Sequence, residues 1–123
     1  MSQVRPRVAI VDDEESVRKA MQRLLRSAGM DVQSFASGAE FLEAMRSDPP
    51  ECVVLDLRMA GLNGFDVQKR LAETDPHLPM VVITGRDTPE ASTRALAGGA
   101  DAYLVKPIDE GVLLDAILAA ILK

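Results

Sequence analysis

Five polar residues stand at or just past the ends of four short apolar segments, and their chemical types belong together. The segments are RVAIV, CVVLD, MVVIT and AYLV, and the polar residues are Asp12, Asp13, Asp56, Thr84 and Lys106. If the segments are parallel strands joined by helices, their carboxyl ends meet at one edge of a sheet. Three carboxylates, a hydroxyl and an ammonium group would then surround a single site.

Three crowded carboxylates require a positive charge nearby. Like charges within a few ångströms raise one another's pKa unless a cation neutralises them, and Mg²⁺ suits carboxylate and phosphate oxygens. A cation held there can also bind a phosphoryl oxygen, which leaves one carboxylate as the nucleophile. Lys106 and Thr84 can then contact the other phosphoryl oxygens. The residue types therefore indicate phosphoryl transfer to an aspartate, supported by Mg²⁺ or, as an alternative ion, Mn²⁺.

Strand-like and helix-like segments alternate five times along the chain. Strands are expected at residues 7–11, 31–35, 52–56, 80–84 and 101–105, each followed by a segment with helical apolar spacing. Such alternation with short connections places helices on both faces of a parallel sheet. We therefore expect an α/β fold, a five-stranded parallel sheet in a three-layer (βα)5 sandwich. The flavodoxin-like strand order 2-1-3-4-5 would place Asp12 and Asp13 beside Asp56.

Local signals mark the starts of three helices. Ser37 with Glu40 forms a capping-box pattern ahead of the second helix. Thr88 followed by Pro89 predicts the start of the fourth helix, with the hydroxyl as the N-cap. Asp109 is expected to cap the fifth helix, which extends to the end of the sequence given.

The fourth and fifth helices differ in their apolar surfaces. The fourth has few apolar residues, with Ala91, Ala95 and Leu96 as the main packing candidates, and is expected to pack loosely. The fifth, VLLDAILAAIL, has one charge in eleven residues. Its large apolar side chains cover about half of the helix circumference, more than packing on one sheet needs. Part of this helix is therefore expected to remain exposed, unless it is wedged deeply beside the first or fourth helix.

The composition fits one domain and disfavours several classes of protein. The chain has 123 residues, 47% hydrophobic content and a formal net charge of −5, so direct nucleic-acid binding by this segment is not expected. The lone Cys52 reads as a buried core thiol without a disulfide partner, and no apolar segment approaches the ~18 residues of a membrane span. These features favour a cytoplasmic location and a single domain over residues 1–123, with an ordered core at about residues 7–122.

The spaced motifs resemble those of receiver domains in bacterial two-component response regulators, most of all the FixJ type. The matching segments are IVDDEE, VVLDLRM, VITGR and YLVKP. The resemblance implies that Asp56 is the phosphorylated residue. Asp13, Asp56 and the backbone carbonyl of Arg58 would bind the metal directly, and Asp12 would act mainly through its water shell. Lys106 would bridge to the acyl phosphate.

The resemblance also implies a conformational switch. Thr84 and Tyr103 match the paired switch residues of the family, in which the hydroxyl moves to the phosphate and the aromatic ring turns inward behind it. The expected result is a change of the face formed by the fourth helix, fifth strand and fifth helix. The peptide bond between Lys106 and Pro107 is expected to be cis, as in the family.

Two loop arginines bear on how long the phosphate stays, and one further loop residue departs from the family pattern. Arg58 and Arg86 occupy positions that in receivers flank the path of the attacking water. Either arginine can pair with a phosphoryl oxygen and fill that path, so slow hydrolysis is expected. Ala60 stands where many receivers have proline. This departure is expected to loosen the loop without removing a chemical group.

The expected function is a signalling switch rather than an enzyme. By resemblance, a sensor histidine kinase phosphorylates Asp56, and the domain assists both its own phosphorylation and the later hydrolysis. The expected output is transcription, through a separate domain, and a homodimer through the face formed by the fourth helix, fifth strand and fifth helix is a further expected partner. A standalone receiver that acts by protein binding stays open.

Three other classes fit the residues less well. An aspartate-nucleophile phosphatase of the haloacid dehalogenase type needs a second acid two residues after the nucleophile, where this chain has Arg58. A flavodoxin-like FMN carrier needs a phosphate-binding loop after the first strand, where the acids of DDEES would repel phosphate. A pseudo-receiver normally lacks one of the five site residues, and none is missing.

Overall fold

Strands and helices alternate strictly in a computed structural model of the protein, which describes residues 5–123. The strands are β1 (Arg7–Val11), β2 (Asp31–Phe35), β3 (Cys52–Asp56), β4 (Met80–Thr84) and β5 (Ala102–Val105). The helices are α1 (Glu15–Ser27), α2 (Gly38–Met45), α3 (Gly64–Thr74), α4 (Pro89–Ala97) and α5 (Glu110–Leu122). All strand pairs are parallel, in the order β2-β1-β3-β4-β5, which confirms the predicted architecture.

Alternating side chains on the sheet divide the core into two layers. In β1, Ala9 and Val11 pack with α2, α3 and α4, whereas Val8 and Ile10 pack with α1 and α5. Every residue of β3 and β4 is buried, because central parallel strands have helices on both faces. These two strands form the rigid support from which the candidate site projects.

The predicted helix starts are correct in position. Ser37, Thr88 and Asp109 each accept a hydrogen bond from the backbone N–H three residues further on. The structure adds a full capping box at the start of α3, between Asn63 and Asp66, which the sequence analysis did not identify. Reciprocal bonds of this kind satisfy two helix-end donors at once, so α3 starts at a fixed point beyond the end of β3.

Gly64 allows α3 to begin directly against β3. A Cβ atom at this position would lie 2.7 Å from the carbonyl oxygen of Asp56 and 2.7 Å from Cα of Leu57. Contacts that short with backbone atoms do not occur for real side chains, so only glycine fits without a shift of the backbone. The close approach holds the loop after β3 against the sheet edge.

Helix α4 packs through less apolar surface than its sequence indicated. Ala95 is buried and Ala91 is partly buried, but Leu96 is 49% exposed. The expectation that Leu96 packs inward is therefore wrong, because it lies about 100° around the helix from Ala95. Two polar contacts with α3 supplement the packing. The buried Gln68 amide donates to the carbonyl of Ala95 at 2.8 Å, and the Arg94 guanidinium lies over the Phe65 ring at 4.1 Å.

Helix α5 is buried on one side and exposed on the other, as expected. Leu113, Ile117 and Ala120 are buried, whereas Leu118 is 42% and Leu122 is 80% exposed. Among the described residues, the large apolar side chains that are exposed lie on α4, β5 and α5, and they are Leu96, Val105, Val112, Leu118 and Leu122. The edge of the sheet at β5 therefore carries an apolar surface, here called the β5-edge face.

Two expectations from composition concern Cys52 and membranes. Cys52 is fully buried, and burial, together with the charge of Asp101, raises its pKa to about 12, so the thiol is an inert core group. Within residues 5–123, none of the helices has the length and apolar character needed to cross a bilayer.

Candidate functional site

The sheet register brings the polar strand ends together. Val11 pairs with Leu55, so Asp12 follows β1 at the level of Asp56. On the other side of β3, Thr84 at the end of β4 pairs with Val105 of β5. Lys106 follows Val105 directly and therefore lies at the same edge. The five residues selected from the sequence therefore surround one edge, and the strand order supplies the contact between β1 and β3.

Three carboxylates converge at this edge. Oxygen atoms of Asp12, Asp13 and Asp56 all lie within 4.8 Å of one another. Asp12 is fully buried and Asp56 is 2% exposed, whereas Asp13 lies at the surface. The cluster is thus open to solvent on the side of Asp13 and closed on the side of the sheet.

Backbone N–H groups hold each carboxylate in place. The N–H of Glu14 donates to Asp12 Oδ1 at 2.9 Å, and the N–H of Arg58 donates to Asp56 Oδ1 at 3.3 Å. The N–H of Ala60 donates to Asp13 Oδ2, also at 3.3 Å. Proline has no N–H. Alanine at position 60, where many receivers have proline, therefore supplies a donor that links the loop to Asp13.

The Lys106 ammonium group links the carboxylates on the inner side. Its Nζ lies 2.9 Å from Asp12 Oδ2, 2.9 Å from Glu14 Oε1 and 3.6 Å from Asp56 Oδ2. Burial lowers the pKa of Lys106, but its contacts with Asp12 and Glu14 and the charge of Asp56 raise it more, so the pKa lies above its usual value. Lys106 therefore stays charged. The following peptide bond, to Pro107, is cis.

The charge balance at this edge raises the pKa of Asp56. Burial is the largest cause, and the neighbouring Asp12 charge adds to it, while Lys106 and the Arg58 N–H act in the opposite direction. The resulting pKa of Asp56 is about 6. One ammonium group thus compensates only part of the negative charge.

The residues present fit a small divalent cation. Asp12 Oδ2 is buried and accepts no hydrogen bond of good geometry from residues 5–123, although its ion pair with Lys106 remains. The cluster offers one carboxylate oxygen from each of three aspartates. Mg²⁺ prefers oxygen ligands, and in proteins it usually binds one or two carboxylates and keeps several water molecules. The arrangement can therefore hold a cation beside the Asp56 carboxylate.

The two expected switch residues have partners in the loop between β4 and α4. The buried Thr84 hydroxyl accepts from the N–H of Arg86 at 3.1 Å and lies 3.2 Å from the Arg86 carbonyl. The Tyr103 hydroxyl donates to Asp87 Oδ1 at 3.0 Å, at the surface. Thr84 lies at the acidic edge, whereas the Tyr103 hydroxyl is directed to the loop beyond it.

A cleft of about 540 Å³ opens beside the carboxylates. Asp13, Thr84, Arg58 and Arg86 line it, together with Arg94, which lies over the Phe65 ring. The two arginines singled out from the sequence therefore share one cleft with Asp13 and Thr84. The lining of this cleft does not include Asp12, Asp56, Tyr103 or Lys106.

Sequence reasoning missed two residues that contact the site groups. Glu14 competes with Asp56 for Lys106, and its position directly after Asp12-Asp13 was a usable signal. Asp87, which accepts the Tyr103 hydroxyl, follows Arg86 in a loop whose sequence carries no such signal. Both are exposed carboxylates.

Fold and site together define a class, a flavodoxin-like α/β domain with an acidic, lysine-bridged site at the carboxyl edge of its sheet. The family described as "Response regulator receiver domain" matches residues 8–118. The chain belongs to this family, the receiver domains of two-component response regulators. The narrower resemblance to the FixJ type stays a prediction.

Known relatives agree with this assignment. Nodulation protein W of Bradyrhizobium diazoefficiens is 41% identical over 113 residues, which cover 92% of this chain and 50% of that protein. The DNA-binding transcriptional regulator NtrC of Escherichia coli K12 is 38% identical over 109 residues, covering 87% of this chain and 23% of that protein. The solved chemotaxis protein CheY4 of Vibrio cholerae superposes with a TM-score of 0.89 at 27% identity, covering 95% of this chain and 99% of that one. The chain spans half or less of the two sequence relatives.

We predict that Asp56→Asn stabilises the metal-free protein at neutral pH. The pKa of Asp56 is raised from 3.8 to about 6, so its ionised form opposes folding. This cost is absent below about pH 4, grows as the pH rises through the interval, and is complete above about pH 6. In the presence of a chelator at pH 7.5, urea unfolding should therefore give the variant a free energy of unfolding on the order of 1–2 kcal/mol higher than that of the wild type.

The control for this measurement is Asp115→Asn, which neutralises an exposed carboxylate on α5. Its unfolding free energy should change little at either pH. An equal gain for Asp56→Asn at pH 4 and pH 7.5 would contradict the raised pKa.

Proposed function

We propose that this domain is a phosphorylation-dependent signalling switch in the cytoplasm, phosphorylated on Asp56 by a sensor histidine kinase. The observation that carries the proposal is the convergence of Asp12, Asp13 and Asp56 with the Lys106 ammonium group at one sheet edge. Such a site positions a carboxylate nucleophile and compensates phosphoryl charge, which is most of what this chemistry requires.

Under this proposal Asp13, Asp56 and the carbonyl of Arg58 would hold Mg²⁺, or Mn²⁺ in its place, and Asp12 would act through a water molecule. When bound, the cation would supply positive charge that compensates the carboxylates and the phosphoryl oxygens. The N–H of Arg58 donates to Asp56, so the Arg58 peptide lies beside the cluster.

The chain's own residues carry the transfer step. An Asp56 oxygen forms the bond to phosphorus, while the bond from phosphorus to the donor atom breaks and the donor keeps the electron pair. Lys106, already 3.6 Å from Asp56 Oδ2, needs only a small movement to contact a phosphoryl oxygen. The Thr84 hydroxyl donates to another oxygen after it releases the Arg86 carbonyl, to which it now donates. Hydrolysis later returns Asp56 to its free form.

The same exchange of partners carries the signal in this proposal. Release of Arg86 by Thr84 frees the loop before α4, and Tyr103 turns inward into the space behind Thr84. Helix α4 is suited to follow, because its apolar packing is limited to small side chains such as Ala95. Phosphorylation would thus change the β5-edge face by a shift in population.

The proposed output is transcription through a separate domain. NtrC is named a DNA-binding transcriptional regulator, and this chain covers 23% of its length. The net charge of −5 argues against a nucleic-acid contact by this segment. A standalone receiver that acts by protein binding is the second candidate, favoured by the nearly complete coverage of CheY4. The phosphatase alternative is disfavoured because Arg58 stands where a general acid is needed.

The β5-edge face supports the proposal of a homodimer. It carries five large apolar side chains that are at least 41% exposed, on α4, β5 and α5. Helices α4 and α5 both contact β5, and exposed apolar side chains on neighbouring elements can form a contact site. A second phosphorylated copy is the proposed occupant, because the switch residue Tyr103 lies on β5 itself.

The proposed chemistry predicts a single phosphorylation site. Incubation with acetyl phosphate and Mg²⁺ should add one phosphoryl group, at Asp56, as measured by intact-protein mass spectrometry. Asp56→Asn should abolish the added mass, Asp13→Ala should raise the Mg²⁺ concentration required, and Asp115→Asn should behave like the wild type. Labelling that persists in Asp56→Asn, or in excess chelator, would refute the site.

The proposed dimer predicts a mass change on activation. Sedimentation of the phosphorylated protein should show a dimer that Leu118→Glu or Leu122→Glu prevents, because a buried unpaired charge is costly. Ala72→Glu, which adds the same charge on the exposed side of α3, should leave the dimer intact. A phosphorylated monomer at high concentration would remove this face from the proposal.

The arginines that flank the cleft predict a long-lived phosphoryl group. Arg58→Asn should speed hydrolysis several-fold, and Arg58→Asn/Arg86→Glu should speed it further, since occlusion of water outweighs the loss of positive charge. Decay of phosphorylated protein followed by mass spectrometry measures this, with Arg70→Asn on α3 as the control. Decay no faster than in the wild type would show that the arginines do not exclude water.

A further inference from the structure

The side chains of Thr84 and Tyr103 hold the loop between β4 and α4 by hydrogen bonds, one side chain on each side of the loop. On the inner side, the Thr84 hydroxyl accepts from the N–H of Arg86 at 3.1 Å. On the outer side, the carboxylate of Asp87 accepts from the Tyr103 hydroxyl at 3.0 Å. Arg86 and Asp87 are adjacent, so the same short stretch of backbone is tied both to the site edge and to β5.

The Tyr103 side chain lies at the boundary between the core and the surface. Its ring is half-buried and packs against the core layer on the side of α2, α3 and α4, while its hydroxyl reaches the surface. Burial, and then the hydrogen bond and charge of Asp87, raise the pKa of Tyr103. The phenol therefore stays protonated and remains a donor to Asp87.

We propose that Asp87 is a positioning residue that holds Tyr103 at the surface and thereby favours the unphosphorylated arrangement of the domain. This inference rests on the proposed function, because it needs Tyr103 to turn inward on phosphorylation. The hydrogen bond between Asp87 and the Tyr103 hydroxyl opposes that movement and must break before it.

The direction of the effect follows from the charge of Asp87. An exposed carboxylate loses hydration if it follows the tyrosine hydroxyl inward, and burying an unpaired charge is costly. Asp87 therefore binds the outward Tyr103 and has no equal contact with the inward one. A contact made in only one of two states shifts their ratio, and an ordinary hydrogen bond shifts it by about twofold to tenfold.

The composition supplies a direct probe of this contact. Tyr103 is the one tyrosine of the chain, and the chain has no tryptophan. Tyrosine emission therefore reports Tyr103 alone. A phenol bonded to a carboxylate emits weakly, because the excited phenol transfers its proton to the acceptor.

The experiment compares emission and beryllofluoride binding in wild type and Asp87→Ala, with Mg²⁺ present. The unphosphorylated variant should emit more strongly than the wild type. It should also reach half-conversion at a beryllofluoride concentration about twofold to tenfold lower, because a larger fraction is already competent. Glu90→Gln removes a nearby exposed charge that has no hydrogen bond to Tyr103, and it should match the wild type in both measurements.

A second variant separates the hydrogen bond from the charge. Tyr103→Phe keeps the ring but removes the hydroxyl, so amide spectra should show a similar lowering of the beryllofluoride midpoint. The double variant Asp87→Ala/Tyr103→Phe should show no further lowering, since both changes remove one contact. Additive midpoint shifts would overturn the proposal, as would an Asp87→Ala protein with wild-type emission and midpoint.

The proposed function fails in a different way. If beryllofluoride binds the wild type but leaves Tyr103 emission unchanged, Tyr103 does not move and the proposed switch is refuted together with the role of Asp87. If beryllofluoride with Mg²⁺ does not bind at all, the phosphoryl site itself is refuted. A changed wild-type emission with an unaltered Asp87→Ala midpoint refutes Asp87 alone.

Discussion

Repulsion between carboxylates at the carboxyl edge of the sheet is the interaction on which the rest of the molecule depends. Two like charges 4 Å apart repel by about 4 kcal/mol at the effective dielectric near a protein surface. Asp12 and Asp56 are both buried there, and Lys106 offsets only part of the charge. The edge therefore gains stability from a cation or a proton, and this deficit in positive charge makes the site responsive to ligands.

The sheet can carry that repulsion because its centre is rigid. Strands β3 and β4 are buried along their whole length, and Gly64 lets α3 begin directly against the end of β3. The carboxylates thus project from the rigid, fully buried centre of the sheet. Helix α4 is different, because it depends on Ala95, a hydrogen bond from Gln68 and the stacking of Arg94 for much of its attachment. The least firmly packed helix of the fold therefore lies next to the sheet edge at which the carboxylates repel one another.

Several site groups have partners that can be exchanged. Lys106 is shared between Glu14, Asp12 and Asp56, so a new negative charge on Asp56 changes the balance among them. The Thr84 hydroxyl donates to the Arg86 carbonyl of its own loop, and a stronger acceptor can replace that carbonyl. Small local exchanges of this kind suffice for a switch, provided that each partner has a different free energy in the two arrangements.

Local patterns in the sequence determined the strands, three of the helix starts and the order of the site residues. Apolar runs and the caps at Ser37, Thr88 and Asp109 act within a few residues, so each could be identified without the fold. The motif spacing then predicted the family and the carboxylate cluster. The outward position of Leu96 was mispredicted, because composition alone does not show which side of a short helix meets the sheet.

Only the tertiary structure decided the partners of the charged groups. Glu14 and Lys106 are 92 residues apart in the chain, and Tyr103 and Asp87 are 16 apart. The N–H of Ala60 contacts Asp13 across 47 residues. Such contacts depend on the order and register of the strands and on loop geometry to within an ångström. Short-range patterns carry no information at that scale, because a hydrogen bond forms or fails over distances much smaller than one residue.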